Sequence, residues 1–423
     1  MSTTASRGGT ASRATARRLG WGLGDQAVSS ITNFVLGLVV ARSLGATAFG
    51  AFSLAWVTYG VVINVSRGLG TDPLTVRYSG PADDRWRAAI VRAASTATAV
   101  GIVVGAGCVV GGWAFGGVVG ASYVALGITL PGLMLQDSWR YAFFASGQGR
   151  RAFLNDAVWA VTLVPAMIVA DSVGTAFAFV LAWGGAAAVA AVFGCFQTRC
   201  LPRARGITGW LHEHRELGAR YAVENLSDSA GAQVRLTGLG LISGLASVGA
   251  VRGAQLLLGP FVALRMGISL MAVPEAARIL RRRPHRLIAF CVVLGGSQAV
   301  AGLLWGGALL LLPSSVGTLM LGSLWPAAIA LVVPTTLAMA LGCLFDGAFV
   351  GLRALGVARR SLRAQVTRAV LAVVLGLFGA YVGGAEGMLW GAALASLMGV
   401  VVVWGQLRAA ARVHRATGPL TTP

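Results

Sequence analysis

The residues in this sequence best suited to chemistry are charged side chains that fall inside apolar segments. Glu224, Asp228, Gly231 and Arg235 are spaced at i, i+4, i+7 and i+11, which places them on one face of a helix. A charge at the centre of a bilayer costs about 2.5 to 3.5 kcal/mol, so such residues indicate a function or an ion pair. Arg235 would lie about 24 Å from the start of its segment. Its guanidinium therefore either faces an anion in an aqueous cavity or pairs with an acid on another helix.

The carboxylates of this face indicate a second kind of chemistry. Glu224 and Asp228 are expected near one mouth of the cavity, where a coupling cation could bind. Asp25 occupies the corresponding place in the first apolar segment, close to Asn33. Asp25 either joins this polar face or stabilises a helix N-terminus. We predict Asp25, Glu224 and Asp228 as gating or coupling candidates and Asn33 as a substrate-binding candidate.

Other apolar segments contain further candidates. Arg265 and Gln255 are predicted to contribute to the same cavity, whereas Arg252 should lie near the outer interface and extend its side chain towards water. Asp137 and Arg140 stand at i, i+3 and could neutralise each other. Their role is either structural or one of gating and coupling.

No catalytic motif accompanies these residues. The sequence has no GxSxG, no glycine fingerprint between a strand and a helix, and no Walker loop, which requires a lysine that the chain lacks. His212, Glu213 and His214 lack both the HExxH spacing and a third metal ligand. The five cysteines show no CxxC spacing. We therefore expect no enzyme activity, no cofactor and no bound metal.

The elements that position these residues must lie in lipid. Of the 423 residues, 56% are hydrophobic and 11% are charged, which is too little polar surface for a water-soluble protein. A membrane helix needs about 20 apolar residues. Length and helix-breaking residues predict an all-α membrane protein with twelve spans, at residues 20–42, 49–70, 88–113, 122–145, 153–170, 175–197, 219–242, 248–273, 287–312, 326–350, 365–381 and 387–407.

Arginine placement predicts the orientation of these spans. The net charge of +20 arises from 34 arginines, and the even-numbered connections and both tails carry nearly all of those outside the spans. Arginine that flanks a span is retained on the cytoplasmic side. Both termini are therefore expected in the cytoplasm, and Arg67 and Asp72 are expected as anchors at the same interface. A basic charge alone would also suit nucleic acid, but its alternation along the chain argues against that.

The two halves of the chain resemble each other in sequence. Leu44, Pro73 and Arg77 recur as Leu245, Pro274 and Arg278 at an offset of 201, and Asp137 recurs as Asp346 at an offset of 209. Six spans per half give both halves one orientation, related by an axis along the membrane normal. Rocking of one six-helix bundle against the other would then pass a solute through the cleft.

This duplication predicts the domain organisation. A disordered basic cytoplasmic tail at residues 1–19 precedes an N-terminal six-helix bundle at 20–197. A cytoplasmic linker at 198–218 leads to a C-terminal six-helix bundle at 219–407. A second cytoplasmic tail follows at 408–423.

The first hairpin carries a recognisable pattern. From Leu36 to Asp72 the sequence resembles the polysaccharide transporter branch of the multidrug/oligosaccharidyl-lipid/polysaccharide (MOP) exporter superfamily. The family pattern AR-x-LG-x-x-x-FG is represented here by Ala41, Arg42, Leu44, Gly45, Phe49 and Gly50. The twelve-span layout extends the resemblance to nearly the whole chain. It implies a multi-pass flippase that carries a lipid-linked oligosaccharide or polysaccharide precursor from the cytoplasmic to the outer leaflet of a prokaryotic plasma membrane.

The resemblance also implies partners. Its substrates carry a pyrophosphate, which the planar guanidinium of arginine can bind through paired donors. Besides the lipid-linked glycan and membrane lipids, the implied partners are a glycan polymerase or glycosyltransferases; nucleic acid is not expected. Two other hypotheses remain: a cation-coupled multidrug exporter of the same superfamily, and a non-transporting scaffold of a glycan-assembly complex.

Overall fold

The structure is a computed structural model that describes residues 28–79 and 83–417. Within these ranges the chain is helical, with no β-strand. The predicted tail at residues 1–19 and the last six residues of the chain lie outside the described residues. Nine of the described helices are long and apolar enough to cross a membrane. The chain is therefore a multi-pass membrane protein, as its composition predicts.

The helices of the first half follow the predicted spans closely. A polar connection is expected at residues 198–218, but the structure places one more helix there. In chain order the helices are α1 Val28–Ser43, α2 Ala46–Ser66, α3 Asp72–Arg77, α4 Asp84–Phe115, α5 Gly117–Ala145, α6 Gly149–Val173, α7 Ala176–Thr198 and α8 Ile207–Glu213.

The helices of the second half are more often interrupted. In chain order they are α9 Arg215–Ser243, α10 Leu245–Leu257, α11 Gly259–Arg282, α12 Leu287–Leu310, α13 Ser314–Leu321, α14 Trp325–Ala330, α15 Val332–Ala354 and α16 Ala358–Thr417. The 29-residue α9 is not among the nine apolar helices. The exact number of twelve spans and the cytoplasmic placement of both termini stay predictions.

The hairpin with the family pattern forms as predicted. Helix α1 ends at Ser43 and α2 begins at Ala46, so the turn falls at Leu44 and Gly45. Leu44 is 2% exposed. A Cβ atom on Gly50 would overlap the backbone carbonyl of Leu245. The glycine of the FG pair therefore allows α10 to approach the start of α2 closely.

Predicted span two continues beyond its expected end at Gly70. Residues Arg67–Thr71 form a π-helical segment, and the helix then resumes as α3. Such a segment interrupts the regular i to i−4 hydrogen-bond ladder, and π-helical turns are frequent at functional sites. Arg67 consequently lies ten residues before the end of the continuous helical stretch Ala46–Arg77.

Two more spans depart from their predicted form because of proline and glycine. Predicted span eight is two helices that meet at Leu258, next to Pro260, whose ring nitrogen cannot donate a helical hydrogen bond. Predicted spans eleven and twelve are the two segments of α16, which breaks at Gly383 and Gly384. Gly384 has a φ of +58°, a conformation that glycine adopts without strain.

The chain divides into two compact units. The first contains the described residues up to Leu44 and Ala51–Ala230, and the second contains Gly45–Gly50 and the described residues from Gly231 onwards. The division falls within α9. Helix α8 and the first half of α9 therefore belong to the first unit. The predicted domain boundaries stay predictions.

Helix α8 is part of the core of the first unit. Trp210 is 0% exposed and packs in a cluster with Leu74, Trp86 and Trp139. Its indole Nε1 donates a hydrogen bond of 3.1 Å to the backbone carbonyl of Leu69, within the π-helical segment. The arginine-rich sequence predicts a polar connection here. Trp210 instead packs this segment against α3, α4 and α5.

The end of α8 is held by charge as well as by packing. Glu213 accepts hydrogen bonds from the hydroxyl of Tyr78 at 3.2 Å and from Nη1 of Arg92 at 3.0 Å. Partial burial acts to raise the pKa of the Glu213 carboxyl, but the Tyr78 hydrogen bond and the Arg92 charge outweigh it and lower the pKa. Burial, followed by the charge and the hydrogen bond of Glu213, raises the pKa of the Tyr78 hydroxyl. Glu213 is thus an ionised partner that joins α8 to α4.

The core of the second unit joins α12, α15 and α16. Its buried side chains include Cys291, Phe345, Leu352 and Leu407. A Cβ atom on Gly295 would lie 2.9 Å from the backbone carbonyl of Cys343, so α12 and α15 touch backbone to backbone. Close glycine contacts of this kind hold helices together where lipid supplies no hydrophobic driving force.

Candidate substrate-binding and coupling residues

A buried ion pair links the π-helical segment to α5 in the first unit. Arg67 donates to both carboxylate oxygens of Asp137, with Nε to Oδ2 at 2.9 Å and Nη2 to Oδ1 at 2.7 Å. The Asp137 side chain is 7% exposed and that of Arg67 is 25% exposed. The guanidinium also lies 4.9 Å from the ring centroid of Tyr141. Arg67 therefore forms a paired ion bridge with Asp137 and is not the anchor at the membrane interface that the sequence predicts.

A second polar cluster joins α5, α6 and α7. Nε of Arg140 lies 3.3 Å from Oδ2 of Asp156, whose side chain is 1% exposed. Gln136 donates to Asp156 at 2.9 Å and to Asn155 at 3.2 Å, and Asn155 donates to the carbonyl of Ala190 at 2.8 Å. Buried polar groups are costly unless they are paired. The network therefore ties these three helices together and neutralises both of its charges.

Asp137 and Arg140 do not neutralise each other, although their i, i+3 spacing allows it. Arg67 pairs with Asp137, and Asp156 pairs with Arg140. Positions three apart on a helix point about 60° apart. The two side chains of α5 therefore reach different neighbouring helices. Pairing across helices favours a structural role, and the gating or coupling role of both residues stays a prediction.

The polar face of α9 is described only in part. The side chains of Glu224 and Asp228 lie outside the described residues, as does Asp25. On the same stretch of α9, Nδ2 of Asn225 donates to Oδ2 of Asp72 at 2.8 Å. This bond joins α9 to α3 within the first unit. The gating or coupling roles of Asp25, Glu224 and Asp228 stay predictions.

In the second unit Arg265 is also paired. Its Nη1 lies 2.7 Å from Oδ2 of Asp346, joining α11 to α15. The side chains are 27% and 38% exposed, so this pair is more accessible than that of Arg67 and Asp137. A ligand of Arg265 would have to compete with Asp346. The substrate-binding role of Arg265 stays a prediction.

The two uncharged candidates have different surroundings. Gln255 accepts a hydrogen bond of 2.9 Å from Nη1 of Arg252, three residues earlier on α10. Asn33 is half-buried on α1, next to Thr32, which lines a groove of about 790 Å³ between α1 and α6. Gln255 thus orients an arginine of its own helix. The substrate-binding roles of Asn33 and Gln255 stay predictions.

Arg235 lies within electrostatic range of a second arginine, Arg368. The two guanidinium charges of Arg235 on α9 and Arg368 on α16 are close enough to repel each other. A Cβ atom on Gly376 would lie 2.9 Å from Cδ of Arg235, so the aliphatic part of Arg235 packs directly on α16. Arg368 lies 4.7 Å from the ring centroid of Phe345, and its buried Nε has no hydrogen-bond partner. Both side chains are half-buried.

No acid balances these two arginines among the side chains that the structure describes. An uncompensated cation in a low-dielectric setting is costly, and a second cation beside it adds to the cost. An anionic ligand would lower that cost. Arg235 and Arg368 are therefore candidates to bind one.

Two of these ionisable residues were not singled out from the sequence. Asp156 and Arg368 lie three residues inside predicted spans 153–170 and 365–381, so the depth that singled out Arg235 did not single them out. Arg140 reaches Asp156 from another helix, and only the packing of those helices brings that pair together.

Solved structures share this fold. No protein-family model and no curated protein matches the chain. An inward-facing multidrug resistance MATE family transporter of the MOP superfamily matches with a TM-score of 0.71 and 15% identity, over 93% of this chain and 96% of that one. The lipid II flippase MurJ, in an inward closed conformation, matches with a TM-score of 0.67 and 10% identity, over 91% of this chain and 87% of that one.

A third match is a MOP superfamily transporter from Pyrococcus furiosus, with a TM-score of 0.56 and 13% identity over 95% of this chain and 96% of that one. The chain therefore has the fold of MOP superfamily transporters, which multidrug exporters and a lipid flippase share. Its solved neighbours are transporters rather than enzymes. At these identities the likeness covers the fold alone, so the substrate has to be argued from the residues.

Proposed function

We propose that this chain is a flippase that moves a lipid-linked oligosaccharide or polysaccharide precursor from the cytoplasmic to the outer leaflet. Transport would follow alternating access through a cationic central cavity. The observation that carries the proposal is the pair Arg235 and Arg368, two half-buried arginines whose charges repel each other. Support also comes from the AR-x-LG-x-x-x-FG pattern of the first hairpin.

A pyrophosphate headgroup suits this pair. It presents several anionic oxygens close together, and each guanidinium can donate two parallel hydrogen bonds to such oxygens. Binding would replace repulsion between the two cations by attraction of both to one anion. The hydrocarbon tail of the substrate could remain in the bilayer while the headgroup is held.

The alternative is a cation-coupled multidrug exporter, because MATE transporters share the fold equally well. A coupling acid has to release and regain its cation during each cycle. Asp137, Asp156 and Asp346 each lie against an arginine, which disfavours cation exchange there. That alternative therefore depends on Asp25, Glu224 and Asp228.

The test is deletion of the gene followed by complementation. Loss of surface glycan with accumulation of glycolipid in the cytoplasmic leaflet is the expected result, and wild-type protein should restore the surface glycan. Arg235→Gln and Arg368→Gln should fail to restore it at equal protein levels. Normal surface glycan after deletion would refute the proposal.

The same strains separate the other hypotheses. Drug resistance that is lost on Asp228→Asn, with unchanged glycan, would establish the multidrug exporter instead. A scaffold would keep its function in both arginine variants but lose it when the protein is absent. Glycan assembly restored by Arg235→Gln and by Arg368→Gln would therefore identify a scaffold.

A further inference from the structure

A basic groove lies in the second unit where α11 ends and α12 begins. Its volume is about 690 Å³. One wall carries four exposed arginines, Arg278, Arg282, Arg283 and Arg286. The opposite wall is apolar and includes Phe290 and Val293 of α12. A groove with a cationic rim and an apolar wall fits an amphiphile with an anionic head.

The positive charge of the rim is largely unbalanced. Arg278 lies 3.5 Å from Glu275 on the preceding turn. Within the described part of the chain, Arg282, Arg283 and Arg286 form no ion pair. Three guanidinium groups are therefore available to an external anion.

Helix dipoles explain the arginines at the end of α11 but not Arg286 at the start of α12. Arginines in the last turn of α11 are favourable, because a helix C-terminus carries partial negative charge. Arg286 stands directly before the N-terminus of α12, where partial positive charge makes a cation unfavourable. Its side chain does not cap that helix. An anion at this position would satisfy the helix terminus and the arginines together.

In the first unit, aspartates of the chain itself stabilise the corresponding helix N-terminus. Helix α4 follows α3 as α12 follows α11, and Asp83 caps it by accepting a hydrogen bond of 2.8 Å from the backbone of Trp86. Asp84 adds a second acid in the first turn. The second unit has arginine where the first has aspartate. An external anion would supply at α12 the negative charge that Asp83 and Asp84 supply at α4.

The apolar wall points to a lipid rather than to a soluble anion. Val293, Val300 and Leu304 lie at i, i+7 and i+11 on one face of α12, and they are 67%, 57% and 69% exposed. An acyl chain could extend along this face from the groove towards the middle of the membrane. A free phosphate would gain nothing from it.

We propose that this groove binds the headgroup of an anionic membrane phospholipid, with one acyl chain lying along α12. Basic pockets between membrane helices bind such headgroups, and each arginine near an anionic headgroup contributes an attraction of about 1 kcal/mol. Phosphatidylglycerol has the required phosphate and tails. The groove is separate from Arg235 and Arg368 along the chain, and the proposal does not depend on the transported substrate.

The experiment measures phosphatidylglycerol binding to the full-length protein in a nonionic detergent. Bound lipids are counted by native mass spectrometry during titration with dioleoyl phosphatidylglycerol, with dioleoyl phosphatidylcholine as the zwitterionic comparison. Arg282→Gln/Arg286→Gln should weaken phosphatidylglycerol binding about 30-fold. Arg282→Lys/Arg286→Lys keeps both charges and should retain most of the affinity.

A matched variant controls for charge. Arg359→Gln/Arg363→Gln also removes two exposed arginines from one helix of the same unit, at the start of α16. Its phosphatidylglycerol affinity should change less than about threefold. Val293→Asn should weaken phosphatidylglycerol binding without affecting the folded fraction, because the side chain is exposed.

Several outcomes would overturn the proposal. Equal losses in the two glutamine double variants would mean diffuse attraction by the basic surface. Unchanged binding in the groove variant would mean that the lipid binds elsewhere. Displacement of phosphatidylglycerol by inorganic pyrophosphate at the same concentration would identify a site for soluble anions. Displacement by an equimolar prenyl pyrophosphate would identify a site for the transported substrate.

Discussion

Residues 1–230 contain eighteen arginines and eleven acidic residues, whereas residues 231–423 contain sixteen arginines and three acidic residues. The described structure follows this difference. In the first unit Arg67 and Arg140 each meet an aspartate on another helix. In the second unit Arg235 instead feels the like charge of Arg368. Among the described residues, the first unit pairs Arg67 and Arg140 with its own aspartates, whereas the second unit pairs Arg265 but leaves Arg235 and Arg368 without an acid.

The two units also share one feature. Asp137 and Asp346 correspond at the offset of 209, and each pairs with an arginine from the second predicted span of its half, Arg67 or Arg265. The two arginines differ by 198 positions, so the partner has moved by about one helical turn between the halves. This equivalence supports the predicted duplication. The halves have diverged in the charges added around a common ion pair.

The largest expected effect comes from breaking the more buried copy of that pair. Asp137→Ala should lower the free energy of unfolding by about 3 to 4 kcal/mol, because it leaves the guanidinium of Arg67 buried without its partner. The measurement is unfolding by titration with a denaturing detergent. The double variant Arg67→Met/Asp137→Leu should lose less than about 1.5 kcal/mol. If the double variant is as unstable as Asp137→Ala, the loss arises from packing and the comparison of charges fails.

Arg235→Gln should lower transport and leave the stability of the protein nearly unchanged. Flux of the lipid-linked glycan should fall at least about tenfold, equivalent to about 1.4 kcal/mol, because one of two donors to the headgroup is lost. The free energy of unfolding should stay within about 0.5 kcal/mol of wild type, since no ion pair is broken. Stability measured beside transport provides the check. A variant as unstable as Asp137→Ala would mean that Arg235 has a partner and that the units do not differ.

The ion pair of Arg265 and Asp346 tests whether burial sets the size of the effect, because it is more exposed than the pair of Arg67 and Asp137. Asp346→Ala should lower the free energy of unfolding by about 1 kcal/mol, because the Arg265 and Asp346 side chains are 27% and 38% exposed and water screens their attraction. The assay is the same as for Asp137. A loss as large as that of Asp137→Ala would show that burial does not separate the two copies.

The smallest expected effect concerns pH and the end of α8. Because folding lowers the pKa of Glu213, its contribution to stability is present above the ordinary value of 4.5 and is lost as pH falls through the lowered value. Wild type and Glu213→Gln should therefore differ slightly in unfolding free energy at pH 7 and converge in acid. Tyr78→Phe should act in the same direction as Glu213→Gln. A difference that persists in acid would show that Glu213 acts through shape rather than charge.

The sequence predicts the helices of this chain better than their contacts. Apolar length located the membrane helices, and glycine located the breaks at Gly45 and Gly384, since this residue acts on the local backbone. The break at Leu258 falls inside the predicted span 248–273, where Pro260 permits it. The π-helical segment at Arg67–Thr71 has no comparable local signal. It coincides with packing of Gly68 against Ala222, more than 150 residues later.

The candidate site was predicted in part. Depth in the membrane identified Arg235 and Arg265, but it could not show that Arg265 has a partner and that the charge of Arg368 acts on Arg235. The i, i+3 spacing allows Asp137 and Arg140 to neutralise each other, but each pairs with a residue on another helix, which local spacing cannot predict. Helix α8 lies within the predicted linker 198–218 and has no signal in the sequence, since one tryptophan among arginines gives no hydrophobic period.

The position of Trp210 constrains the order in which the protein is made. The rings and aliphatic groups around it come from α3, α4 and α5, all synthesised earlier. A nascent chain that has completed its first six predicted spans still lacks the indole that fills this cluster. Emergence of α8 from the ribosome therefore completes this cluster, before most of the second unit has been translated.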